Sequence, residues 1–235
     1  MEDLIIRTEG IKRCFPVAGG DFYALKGIDI KVPKSSLTIL KGRSGSGKTT
    51  LLNILGCLDK QSEGKLYFGD EDISGYSERK MEKLRREQLG FIFQSVALIP
   101  VMNAYQNIEF SLRLADYNEK PWDERINECL DMVNLSKRAT HMPEELSGGE
   151  QQRVAIARAI VHKPKVIFAD EPTGELDSMT SLKVIGLFKE LIEKEGITIV
   201  MTTHDPKMME YGDIVYEILD GEIINVTDNR KGGAK

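Results

Sequence analysis

The sequence predicts an α/β protein: a core of mixed strands and helices with a helical subdomain inserted between two of its strands. Three observations point there. Short apolar runs bounded by turn residues alternate with longer helical patterns toward both ends of the chain. Strand signals largely vanish between about residues 95 and 162. A glycine-rich segment, Gly42–Thr49, falls between a predicted strand and a predicted helix.

Taken in order, Leu4–Thr8, Ala24–Val32, Leu37–Lys41 and Lys65–Phe68 read as strands, the last two flanking a helix from Lys48 to Cys57. A charged helix over Glu78–Leu89 leads into the strand Gly90–Phe93. Helices follow at Ala104–Ala115, Pro121–Val133 and Gly148–Val161, with Pro100 and Pro143 as punctuation. Alternation then resumes with the strand Val166–Ala169, the helix Thr180–Lys194 and the strand Ile197–Thr202. Asp205-Pro206 starts a short helix, an N-cap followed by proline at N1. Strands Ile214–Leu219 and Glu222–Val226 flank the turn Asp220-Gly221. The expected division is a single domain over 1–228, with core segments 1–94 and 163–228 and a helical subdomain 95–162. The tail 229–235 has almost nothing to bury and is expected to be disordered.

At 235 residues, 41% hydrophobic and 29% charged, the composition is that of an ordinary soluble protein. A net charge of -5 argues against a general nucleic-acid binder, whose footprint would be basic. No apolar run approaches the roughly 20 residues that span a bilayer, and Met1-Glu2-Asp3-Leu4 has no signal-peptide character. Cys14, Cys57 and Cys129 are far apart and read as reduced packing thiols; His141, His162 and His204 are too dispersed for a metal cluster.

The segment Gly42-Arg43-Ser44-Gly45-Ser46-Gly47-Lys48-Thr49 fits the P-loop pattern. Glycines let the backbone wrap a phosphate with its N–H groups inward, and the following helix points its positive end at the same anion. Lys48 can then reach β- and γ-phosphates, and the Thr49 hydroxyl can ligate Mg²⁺. Further on, Val166-Ile167-Phe168-Ala169 runs into Asp170-Glu171. A buried parallel strand explains the apolar run but not two carboxylates at its C-terminal end, where ligands collect in open α/β sheets. Asp170 suits a place near Mg²⁺ and Glu171 could polarise a water; a surface acidic turn is the plainer alternative. In Leu146-Ser147-Gly148-Gly149-Glu150-Gln151-Gln152-Arg153, Ser147 and Glu150 form a capping box. Two glycines in the first turn weaken a helix, though, and bare backbone there admits a phosphate.

Together these segments resemble an ATP-binding cassette (ABC) ATPase, with Leu146–Gln151 similar to that family's signature motif. The resemblance runs from about Leu4 to Val226. Leu52–Asp59, Leu89–Gln94 and Asp170–Gly174 are most similar to the macrolide-export and lipoprotein-release branch, with bacitracin-type peptide-resistance and cell-division cassettes as relatives. The resemblance implies a RecA-like parallel sheet, an N-terminal antiparallel β subdomain and an inserted helical subdomain. It implies ATP and Mg²⁺ as cofactors, with Thr49, Asp170 and the Q-loop residue Gln94 at the metal and Thr50 also in the nucleotide site. By the same resemblance Glu171 activates water, Asp177 is the D-loop aspartate and His204 the switch histidine. The family stacks adenine on a Tyr; here Phe15 stands at that place, without the hydroxyl, and Tyr23 is the alternative.

Such cassettes pair head to tail, the P-loop of one facing Ser147-Gly148-Gly149 and Glu150 of the other. They drive an integral membrane permease from the cytoplasmic face. Val96-Ala97-Leu98-Ile99-Pro100-Val101-Met102 is apolar for a loop, and either packs in the core or lines a groove for a permease helix. Two functions follow: transport in the sense of export or extraction, or signalling to a membrane protein without transport. A soluble cassette acting on nucleic acid or ribosomes is disfavoured by the negative charge.

Overall fold

The continuous apolar run Leu37–Lys41 forms β4 and lies at the centre of a six-stranded sheet in the computed structural model, which describes residues 3–18, 20–118 and 121–232. Before it come β1 (Leu4–Val17), β2 (Gly20–Ile28) and β3 (Lys31–Pro33); after it come α1 (Lys48–Leu55), β5 (Glu63–Phe68) and β6 (Glu71–Asp72). The chain continues through α2 (Glu78–Gln88), β7 (Leu89–Ile92), α3 (Ala104–Leu114), α4 (Trp122–Met132) and α5 (Gly148–Ile160). It closes with β8 (Val166–Ala169), α6 (Ser178–Glu195), β9 (Thr198–Thr203), β10 (Ile214–Leu219) and β11 (Glu222–Asp228).

The main sheet has the order β11-β10-β4-β9-β8-β7, and only β11 runs antiparallel to its neighbour. Five parallel strands therefore end on one edge, which carries the loops after Lys41, Thr203, Ala169 and Ile92. The second sheet is antiparallel, β2-β1-β5-β6 with β3 also on β1. Alternate residues of the buried strands feed two cores. Leu40, Phe168 and Val200 meet α1 and the antiparallel sheet. Ile39, Ile167, Ala169, Ile199 and Met201 meet Ile108 of α3, Ile126 and Leu130 of α4 and Ile156 of α5. Each of these side chains but Ala169 contributes about 1.5–3 kcal/mol on full burial. The helices inserted between β7 and β8 thus share a core with one face of the sheet.

Several elements differ from the sequence reading. β1 runs on from Thr8 to Val17: Gly10, at φ 59, falls in an irregularity of the pairing with β5 between Glu9 and Lys12, and β2 follows the same stretch through bulges opposite Ile11/Lys12 and Arg13/Cys14. The expected strand Ala24–Val32 is two strands: Gly27, at φ 107, sits at a bulge within β2, and after Ile28 the chain leaves that pairing so that β3 meets an earlier part of β1. β6 was not anticipated. The helix after Asp205 is 3-10, over Pro206–Tyr211. Asn229–Gly232, expected to be disordered, forms a 3-10 turn, anchored by Asn229 N–H to the Asp213 carbonyl (2.9 Å) and the Asn229 amide to Gly212 O (2.7 Å). The rest of that tail lies outside the described residues.

Candidate active site

The loop between β4 and α1 is built from glycines with distinct tasks. Gly45 and Gly47 take φ 78 and 104, which L side chains rarely adopt. A Cβ on Gly42 would lie 2.4 Å from both Ile218 O and Ser46 Oγ, so its bareness admits Ser46 beneath the loop. Ser46 Oγ is buried there with no hydrogen-bond partner. Arg43, Ser44 and Gly45 are exposed. Gly47 caps α1 with no side-chain bond, leaving the first N–H groups of that helix directed at the loop. Lys48 is buried, and its ammonium donates to Arg43 O at 3.0 Å. Thr49 is exposed and Thr50 half-buried at the start of α1.

Two strands away, β8 ends at Ala169 and runs directly into Asp170 and Glu171. The Thr49 hydroxyl is 3.2 Å from Asp170 Oδ1, so the P-loop and the acidic pair converge. Glu171 lies at φ 44, an uncommon place for a side-chain-bearing residue. Its carboxylate stands 3.8 Å from the Lys48 ammonium and 3.1 Å from Nδ1 of the exposed His204. The intervening strand β9 holds this arrangement. The buried Thr202 hydroxyl donates to Asp170 Oδ1 at 2.6 Å and accepts the Glu171 N–H at 2.9 Å. Sequence reasoning missed Thr202; nothing marks one threonine at the end of an apolar strand. A cavity of about 410 Å³ opens beside Glu171, Gly174, Thr203 and His204. A larger one, about 640 Å³, lies at the opposite edge of the sheet beside Lys165 and Thr198 and touches none of these groups.

The remaining candidates are less gathered. Gln94 is exposed just beyond β7. Asp177 caps α6: its carboxylate accepts Met179 N–H, Thr180 N–H and the Thr180 hydroxyl, at 3.0, 3.1 and 2.6 Å. The Thr180 hydroxyl chiefly holds that carboxyl below the usual range. Ser147 caps α5 in the expected reciprocal box with Glu150, whose carboxylate takes the Ser147 N–H at 2.9 Å and meets Arg138 at 3.2 Å. Ser147 and Gly148 are exposed. No hydrogen bond or ion pair among the described residues joins Ser147–Glu150 to residues 42–49 of the same chain. Phe15 is half-buried on β1, with the Arg13 guanidinium over its ring at 4.4 Å and Arg13 itself paired to Asp59. Its cross-strand partner is Phe22, whereas Tyr23 pairs with Cys14 on the other face.

A groove of about 420 Å³ runs between α2, β7 and the helices α3 and α5. Phe91, Phe93, Ile99, Phe110 and Leu114 supply its apolar wall, and Arg85, Arg86 and Arg158 its basic rim. Of the apolar segment after Gln94, Ala97 and Ile99 reach this groove. Leu98 packs against the core instead, so for that residue the core-packing alternative is the one realised.

The ABC transporter family pattern matches residues 25–174. The chain is 40% identical over 223 residues to the uncharacterized ABC transporter ATP-binding protein MJ0796 of Methanocaldococcus jannaschii, covering 93% of this chain and 95% of that one. It is 41% identical over 224 residues to the lipoprotein-releasing system ATP-binding protein LolD of Francisella tularensis, covering 95% and 97%. Against the macrolide export ATP-binding/permease protein MacB of Syntrophobacter fumaroxidans it is 40% identical over 221 residues, 93% of this chain but 31% of that longer protein. In three dimensions it is similar to the dimeric post-hydrolysis state of the MJ0796 cassette bound to ADP and Pi, with a TM-score of 0.87 at 37% identity, covering 95% and 98%.

Proposed function

The chain belongs to the ABC transporter family of ATP-binding proteins and is an ATPase, and from that premise we propose that it binds ATP between two head-to-tail copies and drives a separate membrane permease. The observation that carries the catalytic part is the placement of Glu171 between Lys48 and His204, one residue from the Asp170 that meets Thr49. Lys48, the loop N–H groups and the start of α1 hold the β- and γ-phosphates. Lys48 partly neutralises Glu171 at 3.8 Å. When Lys48 turns to a phosphate, Glu171 is released to accept a proton from the attacking water, and His204 reaches the γ-phosphate. Arg43 to Thr50 cradle the phosphates, and Phe15 stacks on adenine by the ring face that Arg13 leaves open.

The residues fit a Mg²⁺ ion. Thr49 Oγ and Asp170 are hard oxygen donors side by side at the phosphate loop and would hold it, with Gln94 as the further ligand that the family resemblance implies; Mg²⁺ takes few protein ligands when phosphates supply the rest. Bound there, the ion would neutralise charge developing on the phosphate oxygens.

The phosphate chain carries about −4 charges against one Lys48 and one helix dipole. The Ser147-Gly148-Gly149 start of α5 in a second copy, exposed at Ser147 and Gly148, supplies the missing donors, and Asp177 is the residue through which the copies communicate. In ATP, E171Q should form a stable dimer by size-exclusion chromatography and turn over at least about a hundredfold more slowly. Brisk turnover by E171Q would remove Glu171 from this role. Lys48→Ala should instead weaken nucleotide binding itself.

None of the described helices is long and apolar enough to cross a membrane. We propose that the groove bounded by Phe93, Ile99 and Leu114 receives a short cytoplasmic helix of the permease, placing the chain peripherally on the cytoplasmic face. The likeness to macrolide-export and lipoprotein-releasing proteins supports export or extraction of a drug, lipoprotein or peptide as the work done.

A further inference from the structure

The two signature glycines do not face the same surroundings. A Cβ placed on Gly148 would meet nothing within 4 Å. A Cβ on Gly149 would lie 2.9 Å from Thr180 Cγ2, closer than real Cβ atoms approach a neighbour, with Thr180 Oγ1 at 3.9 Å. The Thr180 methyl therefore occupies the space a side chain at Gly149 would need. Its rotamer is fixed: the hydroxyl donates to Asp177 Oδ2 at 2.6 Å while the Thr180 N–H goes to Oδ1 of the same carboxylate at 3.1 Å. Asp177 in turn follows a closely hydrogen-bonded turn that begins at Glu171, through Gly174 N–H to Glu171 O (3.0 Å) and Leu176 N–H to Thr173 O (3.2 Å).

We propose that Thr180 is a positioning residue that seats the start of α5 against the segment running from Glu171, and that Gly149 lacks a side chain in order to accept it. This rests on the head-to-tail ATP sandwich above. There, Glu171 of a chain works on one ATP while Ser147–Gly149 of the same chain face the other. The Thr180–Gly149 contact then fixes, within one polypeptide, the distance between its contributions to the two sites. Gly148, open to solvent, is the glycine left for the nucleotide.

The pairing makes a size-complementation test possible, run on the full chain carrying E171Q and read as the ATP concentration for half-maximal dimerisation. G149A should raise that concentration about tenfold or more, the scale of overpacking by a methyl. T180S keeps the bond to Asp177 and removes the clashing atom, so the double variant G149A/T180S should return to within a few-fold of the E171Q parent. G148A should be left as it was by T180S. T180S by itself should leave ATP binding by the monomer unchanged, a readout that general destabilisation would move. If G149A/T180S is as defective as G149A, the missing side chain of Gly149 is not there to accept Thr180 and the proposal fails. If the E171Q parent does not dimerise in ATP at all, it is the sandwich reading that fails.

Discussion

Thr202 holds both carboxylate residues of the site through one hydroxyl, donating to Asp170 and accepting from the Glu171 backbone. Its removal as Thr202→Val keeps the shape of β9 and leaves a part-buried N–H unpaired, worth about 1–3 kcal/mol of stability. Glu171, at φ 44, then loses the bond that holds it in an uncommon conformation. The expected outcome is a fall in kcat of about tenfold or more with KM for ATP changed little, since displacement of a reacting group by an ångström is that costly. An unchanged kcat would assign the conformation of Glu171 to the turn that follows it. At this scale the legible residues were those in contiguous motifs. Lys48, Thr49, Asp170 and Glu171 stand in patterns that a turn or a buried strand does not explain. Thr202 was illegible because β-branched residues belong in strands whatever they touch, and the Thr180–Gly149 contact joins positions 31 apart in sequence with no shared pattern.

The elements are joined by a few side chains that act as straps, and the buried Arg125 is one of them. From α4 it donates to Val161 O and Ile160 O at 3.1 Å each, carbonyls at the end of α5, and pairs with Glu128 (2.7 Å) and Glu195 at the end of α6 (3.7 Å). It satisfies Val161 O, adds a second donor to Ile160 O beside the Lys163 N–H, and sits at the negative end of the α5 dipole. Arg125→Met should lower the unfolding free energy by about 3 kcal/mol, measured by urea titration; a loss well under 1 kcal/mol would mean water reaches those carbonyls unaided. The groove has its own prediction. Leu114→Glu on its exposed wall should spare basal ATPase and abolish stimulation by the permease, whereas Leu98→Glu, packed on the core, should destabilise the fold. Equal stability losses in both would place Leu114 in the core as well. Element type was legible where helical periodicity was long, as in α5, or an apolar run was unbroken, as in β8. β1 was not, because its second half, Ile11–Val17, shows no alternation and its pairing passes through bulges that no local pattern announces.

Across the whole molecule, the two cores share one sheet, and its two buried thiols report on each. Cys57 belongs with α1 and the antiparallel sheet, Cys129 with the inserted helices and the other face. Burial pushes their pKa values up to about 11 and about 12 from an ordinary 9.0, so at neutral pH thiolate is suppressed by about a hundredfold or more even before access is considered. Cys14 is only half-buried on β1. A thiol reagent should therefore modify Cys14 first and leave the other two protected in the native protein. The inserted helices have no core of their own: Ile126, Cys129 and Leu130 are continuous with Ile39 and Ile199 on the central strands. Opening them exposes the sheet, so Cys57 and Cys129 should become reactive together as denaturant is raised, with the rate of global unfolding. ATP, binding only the folded chain, should slow both to the same extent. Labelling of Cys129 well ahead of Cys57 would show instead that the helical insertion opens alone, and that the shared face of the sheet tolerates exposure while the nucleotide side stays closed.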